Sequence, residues 1–363
     1  MRHARPLAAA SLLGLAWLAP LAAWALEAMP VERPAPDRLV IKWQGNDPVD
    51  VYVAEKPDAP IARARRLAKA DREGSYVLTG PEAGRPYFIL KDERDGSTAR
   101  TAERLLTLER GSNFRDVGGY PAADGKHVRW GLIYRTAAMP MLTDADYAYV
   151  AKLGIGEVVD LRSSEERRMA PDGFPAHTGA HYFAKDYPAS DVFGQLAARP
   201  ADGKPAGGAV TGLYRTWLIS LAPQYRVIFQ DLLARKGAVS FHCSAGQDRT
   251  GVATALVLSA LGVPRDVIFA DYHLSTADRR PENEIPPLDP AKVGDNPVAA
   301  YYAKAQAAGP LKAHPLYDAA GKPFLQQTFD EIDSRWGSVD AYLDQELGVD
   351  KAAIARLRAY YLE

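Results

Sequence analysis

The stretch His242-Cys243-Ser244-Ala245-Gly246-Gln247-Asp248-Arg249-Thr250-Gly251 constrains this chain more than any other. It follows the apolar run Ala238-Val239-Ser240-Phe241, which reads as a buried strand. It precedes an apolar segment, Thr250 to Leu261, that reads as a buried helix closed by Gly262 and Pro264. A tight passage from strand to helix aims successive backbone N–H groups at one point, and the helix N-terminus adds its positive dipole end. The loop is therefore an anion cradle. Cys243 stands at its mouth, a setting that favours a thiolate over a thiol. Arg249, six residues on, has the planar fork needed to clamp two oxygens of a phosphate. The bland alternative is an inert buried cysteine at a strand end. It would leave Arg249 without a purpose.

The chain has 363 residues, enough for two domains. Its formal net charge of −1 gives no bulk attraction to nucleic acid, so no nucleic-acid partner is expected. Residues 1–25 read as a cleavable signal peptide. Arg2, His3 and Arg5 form the basic start, Leu7 to Leu21 the apolar run, and Ala23-Trp24-Ala25 the cleavage site before Leu26. The run is short for a membrane anchor and carries Pro20, so a periplasmic or secreted chain without a stable membrane span is expected. Cys243 is the single cysteine, which excludes an internal disulfide and leaves stability to the cores. With no resolving partner, this thiol should inactivate on oxidation.

Residues 26–37 are rich in proline and charge and read as a loose leader. From 38 to 109 the pattern is β. Strands are expected at 39–43, 50–54, 75–78, 86–90 and 101–108, separated by turn signals such as Gly45-Asn46-Asp47-Pro48. This spacing suggests a small all-β sandwich that resembles a fibronectin type III or immunoglobulin-like module, or a β-extension packed on the part that follows. Next comes Asn113-Phe114-Arg115-Asp116-Val117-Gly118-Gly119-Tyr120. Its paired glycines require a sharp turn or close backbone approach, which Arg115 and Asp116 could brace by ion pairing. A strand ends in Arg135, Thr143 and Asp146 cap a helix through Leu153, and a strand from Ile155 ends in Asp160-Leu161-Arg162. This rhythm is α/β, a sheet flanked by helices, with ligands at the carboxyl ends of strands. Asp160 and Arg162 therefore fit either a structural ion pair or the site. A Gly/Pro/Ala loop is expected at 197–212, and helices over 213–233 with a break at Pro223. Further helices are expected at 323–334, 338–346 and 350–362. The proline-rich 281–324 reads as a lid or a surface insertion.

These segments together resemble one family, the bacterial secreted tyrosine phosphatases of the HC-x5-R, cysteine-dependent type. The quoted motifs are Asn113–Tyr120, Tyr134-Arg135-Thr136, Val158–Arg162 and His242–Gly251, and Trp336–Leu343 matches a recurring segment near the C-terminus. The resemblance covers about 110–363 and leaves the β-module outside. It implies a phosphatase fold and hydrolysis of phosphomonoesters on phosphotyrosine, phosphoserine/threonine or phosphoinositides. Cys243 would attack phosphorus and form a cysteinyl-phosphate that water hydrolyses. The loop from Ser244 through Ala245, Gly246 and Gln247, with Arg249, would hold the phosphoryl oxygens, and Arg162 is a further candidate. His242 would support the sulfur through its hydrogen-bond network, and Thr250 would bond to it. The leaving group needs a proton from Asp248, which this family is thought to use, or from Asp160; Asp248 is preferred. No metal or cofactor is expected, since no cluster has metal-ligand spacing. The partner is a phosphorylated protein or a small phosphomonoester. One departure is Gln247, where phosphoinositide-hydrolysing members commonly carry Lys; its neutral amide favours phosphotyrosine. The alternatives are a phosphoinositide or inositol-phosphate phosphatase, a non-catalytic phosphoprotein-binding module, and sulfur transfer, for which the loop has the wrong length.

Overall fold

The computed structural model describes residues 26–45, 47–81, 84–193 and 207–363. The expected signal segment, and residues 197–206 of the expected loop, lie outside them. From Gly207 the chain is already helical, as far as Ser220, where a loop to residue 212 is expected.

The first part is built of strands β1 (Glu27–Ala28), β2 (Glu32–Ala35), β3 (Arg38–Gln44), β4 (Val49–Ala54), β5 (Arg65–Asp71), β6 (Ser75–Thr79), β7 (Tyr87–Asp92) and β8 (Thr98–Ala102). β3 carries β1 and β2 along one edge and β6 along the other; a second antiparallel sheet runs β5-β4-β7-β8. Alternation along β3 turns Leu39, Ile41 and Trp43 inward. They meet Val49, Val51, Phe88 and Leu90 of the other sheet.

Residues 26–37, expected as a loose leader, thus contain two strands. β2 accepts Pro34 because it lies at a sheet edge, where a proline costs no interior ladder bond. β5 escaped notice because its sequence, Arg-Arg-Leu-Ala-Lys-Ala-Asp, is that of a charged, exposed edge strand. The strand expected to run through Leu108 stops at Ala102, where Glu103 turns to pair with Arg33 at 2.7 Å.

The second part is an α/β sheet, as expected. Strands β9 (Arg115–Asp116), β10 (Ile133–Thr136), β11 (Ile155–Asp160), β12 (His181–Ala184) and β13 (Ala238–His242) lie in the order β12-β11-β13-β10-β9. The first four are parallel and β9 is antiparallel. Central β13 is buried throughout, which is why it reads as an uninterrupted apolar run. One face packs on Tyr214, Trp217, Phe229, Leu256, Phe329 and the C-terminal helices, the other on Phe114, Val150 and Phe174. The register pairs Thr136 and Asp160 with His242, so three strands end side by side. The capping box at Thr143 and Asp146 forms, and Gly154 closes that helical segment in a left-handed conformation. Three short elements were not expected: the helices Ser164–Met169 and Phe174–Thr178, and β12. Within 281–324, the helix Pro297–Ala308 packs on Ser164–Met169, with Ile285 and Ala299 against Met169 and Ala170.

The two parts are joined by buried polar contacts. Arg85 of the β-module reaches Asp116 at 2.6 Å, the Tyr134 hydroxyl at 2.8 Å and the Glu103 carbonyl at 2.7 Å. Asp116 also accepts from the amides of Gly118 and Gly131. The expected Arg115–Asp116 pair is therefore not formed: as β9 neighbours, their side chains leave opposite faces of the strand. Gly118 and Gly119 are small because the backbone and ring of Trp130 occupy the space a Cβ would take. Removing one partner of a buried ion pair leaves the other charge stranded. Arg85→Ala should destabilise the protein by about 3–5 kcal/mol, measured by urea unfolding followed through both tryptophan fluorescence and circular dichroism.

Candidate active site

The loop after β13 is shaped by hydrogen bonds to its carbonyls. The Ser244 carbonyl accepts from the Ala138 amide at 3.1 Å. Asn113 Nδ2 donates to the carbonyls of Ala245 and Gly246, both at 3.0 Å, and Arg135 donates to that of Gly246 at 2.6 Å. A trans peptide holds its N–H opposite its C=O. Pinning three carbonyls outward therefore turns the amides of Ala245, Gly246 and Gln247 inward. Gly246 has φ +64°, and a Cβ there would lie 2.5 Å from the Thr136 carbonyl, so only glycine allows the loop to sit this close to β10.

The residues that pin the loop form a buried charge cluster. Asp271, in the helix Arg265–Asp278, pairs with Arg135 at 2.5 Å and lies 3.5 Å from Arg115, and Tyr120 donates to it at 2.9 Å. Arg115 in turn donates to Asn113. Burial works against the Asp271 charge, but Arg135 and Arg115 outweigh it and hold the carboxyl well below the usual carboxylate range. The Asn113–Tyr120 segment thus supports the loop from behind.

Cys243 is buried and unbridged at the base of the cradle. Arg249 lies in the first turn of the helix Asp248–Ala260, and Glu166 fixes it with two bonds of 2.6 and 2.8 Å. Glu166 also accepts from Ser244 Oγ at 2.6 Å and from the Ser163 amide at 2.8 Å, in the capping box that starts its helix. Burial opposes ionisation of Glu166, yet Arg249 and these donors keep its carboxyl below the usual range. Glu166 was not foreseen as a site residue. Its one signal was the Ser163-x-x-Glu166 capping pattern, which locates a helix start but no function.

His242 is fully buried. Its Nδ1 lies 3.3 Å from the Cys243 carbonyl and its Nε2 3.3 Å from Asp172. It stands between the nucleophile's backbone and an acidic group, beneath the loop. Thr250 Oγ1 is buried and finds no hydrogen-bond partner among the described residues. Gln247 is buried, and Arg279 donates to its side-chain carbonyl while holding Glu284 at 2.6 and 2.9 Å.

The two candidate acids have different surroundings. Asp160 has no solvent exposure: Arg162 bonds to both of its oxygens at 2.6–3.0 Å, and Tyr182 donates to it as well. Burial disfavours its charge, but the Arg162 guanidinium and His242 hold the carboxyl well below the ordinary range. A carboxylate so committed has no proton to give. Arg162 is spent on Asp160 and on the Ala170 carbonyl, 2.7 Å away, so it is withdrawn from the set that could touch a substrate. Asp248 is partly buried at the start of the helix Asp248–Ala260, beside Arg249.

A cysteine in an amide cradle with a clamped arginine defines a cysteine-based phosphoryl site. The model of the tyrosine phosphatase family matches residues 106–363. A Cupriavidus necator protein named among the tyrosine-protein phosphatases is 33% identical over 264 residues, 71% of this chain and 88% of its own length. The triple specificity protein phosphatase PtpB of Mycobacterium tuberculosis is 32% identical over 286 residues, 69% of this chain and 96% of its own. A Nostoc commune tyrosine-protein phosphatase is 28% identical over 219 residues, 60% of this chain and 64% of its own. The chain belongs to the tyrosine phosphatase family.

Glu166 acts through Arg249 and not on the substrate. Glu166→Gln should lower stability by about 3–5 kcal/mol, since it takes the neutralising charge from the buried Arg249. It should also lower kcat about 10- to 100-fold, because a small misplacement of a clamping group costs that much. Steady-state kinetics on an aryl phosphate, with circular dichroism as control, checks it.

Proposed function

We propose that this chain is an exported phosphoric monoester hydrolase that acts first on phosphotyrosine, and on phosphoserine and phosphothreonine as further substrates. The observation that carries the reading is the joint geometry of Cys243, the inward-facing loop amides and Arg249 held by Glu166. Cys243 Sγ attacks phosphorus in line, and the P–O bond to the leaving group breaks as the S–P bond forms. Arg249 and the loop amides hold the three equatorial oxygens, where charge spreads in the transition state. Asp248 gives its proton to the departing oxygen, and as a carboxylate it then takes one from the water that cleaves the thiophosphate bond. The hydroxyl of Thr250 supports the sulfur as it leaves.

Export rests on the residues 1–25 pattern, and the names of the relatives support the phosphatase reading. The lean toward phosphotyrosine rests on Gln247. Arg279 lies against it, but two of that guanidinium's bonds go to Glu284, so its charge is already balanced. A second reading is a phosphoinositide phosphatase, which the resemblance of the motifs to the secreted phosphatase family also implies. The β-module, expected to resemble fibronectin type III or immunoglobulin domains, is proposed to stiffen the catalytic part through Arg85 and not to act as a free docking unit.

Phosphate release by the full chain and its Cys243→Ser variant decides the reaction. The panel holds phosphotyrosine and phosphoserine peptides and phosphoinositide vesicles. All activity should vanish in the variant, with phosphotyrosine ranked first. Phosphoinositides ranked first would select the second reading, and activity retained by the variant would remove Cys243 from the mechanism.

A further inference from the structure

We propose that Tyr214 is the positioning residue for the Asp248 carboxyl, and that Tyr272 orders Tyr214 in turn. The inference rests on the reading of Asp248 as the proton donor. Asp248 is partly exposed at the first residue of the helix Asp248–Ala260, where a free carboxyl would rotate. Tyr214 Oη donates to its Oδ1. Among the described residues no other group bonds that carboxyl. One oxygen is thus held and the other is left to carry the proton.

Tyr214 itself has little freedom. It is fully buried in the helix Gly207–Ser220, tilted against Trp217 with ring centres 4.9 Å apart and flanked by Phe324. Its hydroxyl lies 2.5 Å from that of Tyr272. Because the Tyr214 proton points to Asp248, its oxygen accepts from Tyr272. The two hydroxyls form a chain of one polarity that ends on the carboxyl. Burial, and after it the nearby Asp248 charge, holds both phenols well above their ordinary range, so both stay donors.

The arrangement also accounts for the last residue of the loop signature. A Cβ on Gly251 would lie 2.9–3.0 Å from the Tyr272 ring. Glycine at this position lets Tyr272 lie flush on the helix start and reach Tyr214. In the reaction, the Oδ2 proton passes to the leaving oxygen as the P–O bond breaks. The carboxylate that remains keeps the Tyr214 bond.

The test compares phenyl phosphate, whose leaving group needs a proton, with 2,4-dinitrophenyl phosphate, whose leaving group does not. Full-chain Tyr214→Phe, Tyr272→Phe, Asp248→Asn and the Tyr214→Phe/Asp248→Asn double variant are assayed for kcat/KM. Tyr214→Phe should lose about 10- to 100-fold on phenyl phosphate and less than about twofold on the dinitrophenyl ester, within the span general acid catalysis supplies. Tyr272→Phe, which leaves the direct bond in place, should show a smaller loss with the same selectivity. It carries the test alone if Tyr214→Phe does not fold. The double variant should be no slower than Asp248→Asn, since Tyr214 acts only through that residue. Equal losses on both esters, or losses that multiply in the double variant, would overturn the positioning role while Asp248 kept its own. Asp248→Asn without leaving-group selectivity would instead remove the proton-donor reading, and the positioning role with it.

Discussion

Asp271 between Arg135 and Arg115 is the contact on which the site depends. A carboxylate and two guanidiniums, all with almost no solvent exposure, are tolerable inside a protein because Asp271 faces both cations and Asp278 lies 3.4 Å from Arg115. Arg135 also donates directly to the Gly246 carbonyl, and Arg115 reaches the loop through Asn113, which donates to Ala245 and Gly246. Turning those carbonyls out turns the amides in. The cradle is therefore a consequence of a charge cluster behind it. Asp116, next to Arg115, is held by Arg85 of the β-module, so the same short strand links both parts of the chain to the loop.

A second buried acid, Glu166, does for Arg249 what Asp271 does for the backbone. It takes bonds from both terminal nitrogens of the guanidinium and one from Ser244, so the clamp and the loop share an anchor. Asp160 and Arg162 show the contrasting case. They end a neighbouring strand, as the sequence pattern requires, yet their mutual pairing removes both from the chemistry. Burial and pairing, not proximity along a strand end, separate a structural carboxylate from a reactive one.

The strand, loop and helix around Cys243 were legible because the chemistry is local: nucleophile, glycine and arginine lie within eight residues, between two apolar runs. The α/β class was legible from short apolar strands between capped helices, such as Thr143 to Gly154. What escaped is non-local. Asp271 is 156 residues from Arg115, and Glu166 is 83 from Arg249. Tyr214 sits in a helix whose apolar pattern hides its hydroxyl. β2 and β5 escaped because edge strands tolerate proline and charge. Arg115 and Asp116 do not pair with each other, because alternation along β9 sends them to different partners.

If the cradle is formed by carbonyls pinned from behind, loosening one pin should weaken oxyanion binding without touching Cys243 or Arg249. Asn113 has φ +55°, a conformation glycine adopts freely, so Asn113→Gly removes the two amide donors with little backbone strain. Calorimetric titration of the full chain with tungstate measures the effect. Binding in the variant should be about tenfold weaker, about 1.4 kcal/mol, in the range of one or two buried hydrogen bonds. Unchanged affinity in a folded variant would contradict this origin of the cradle.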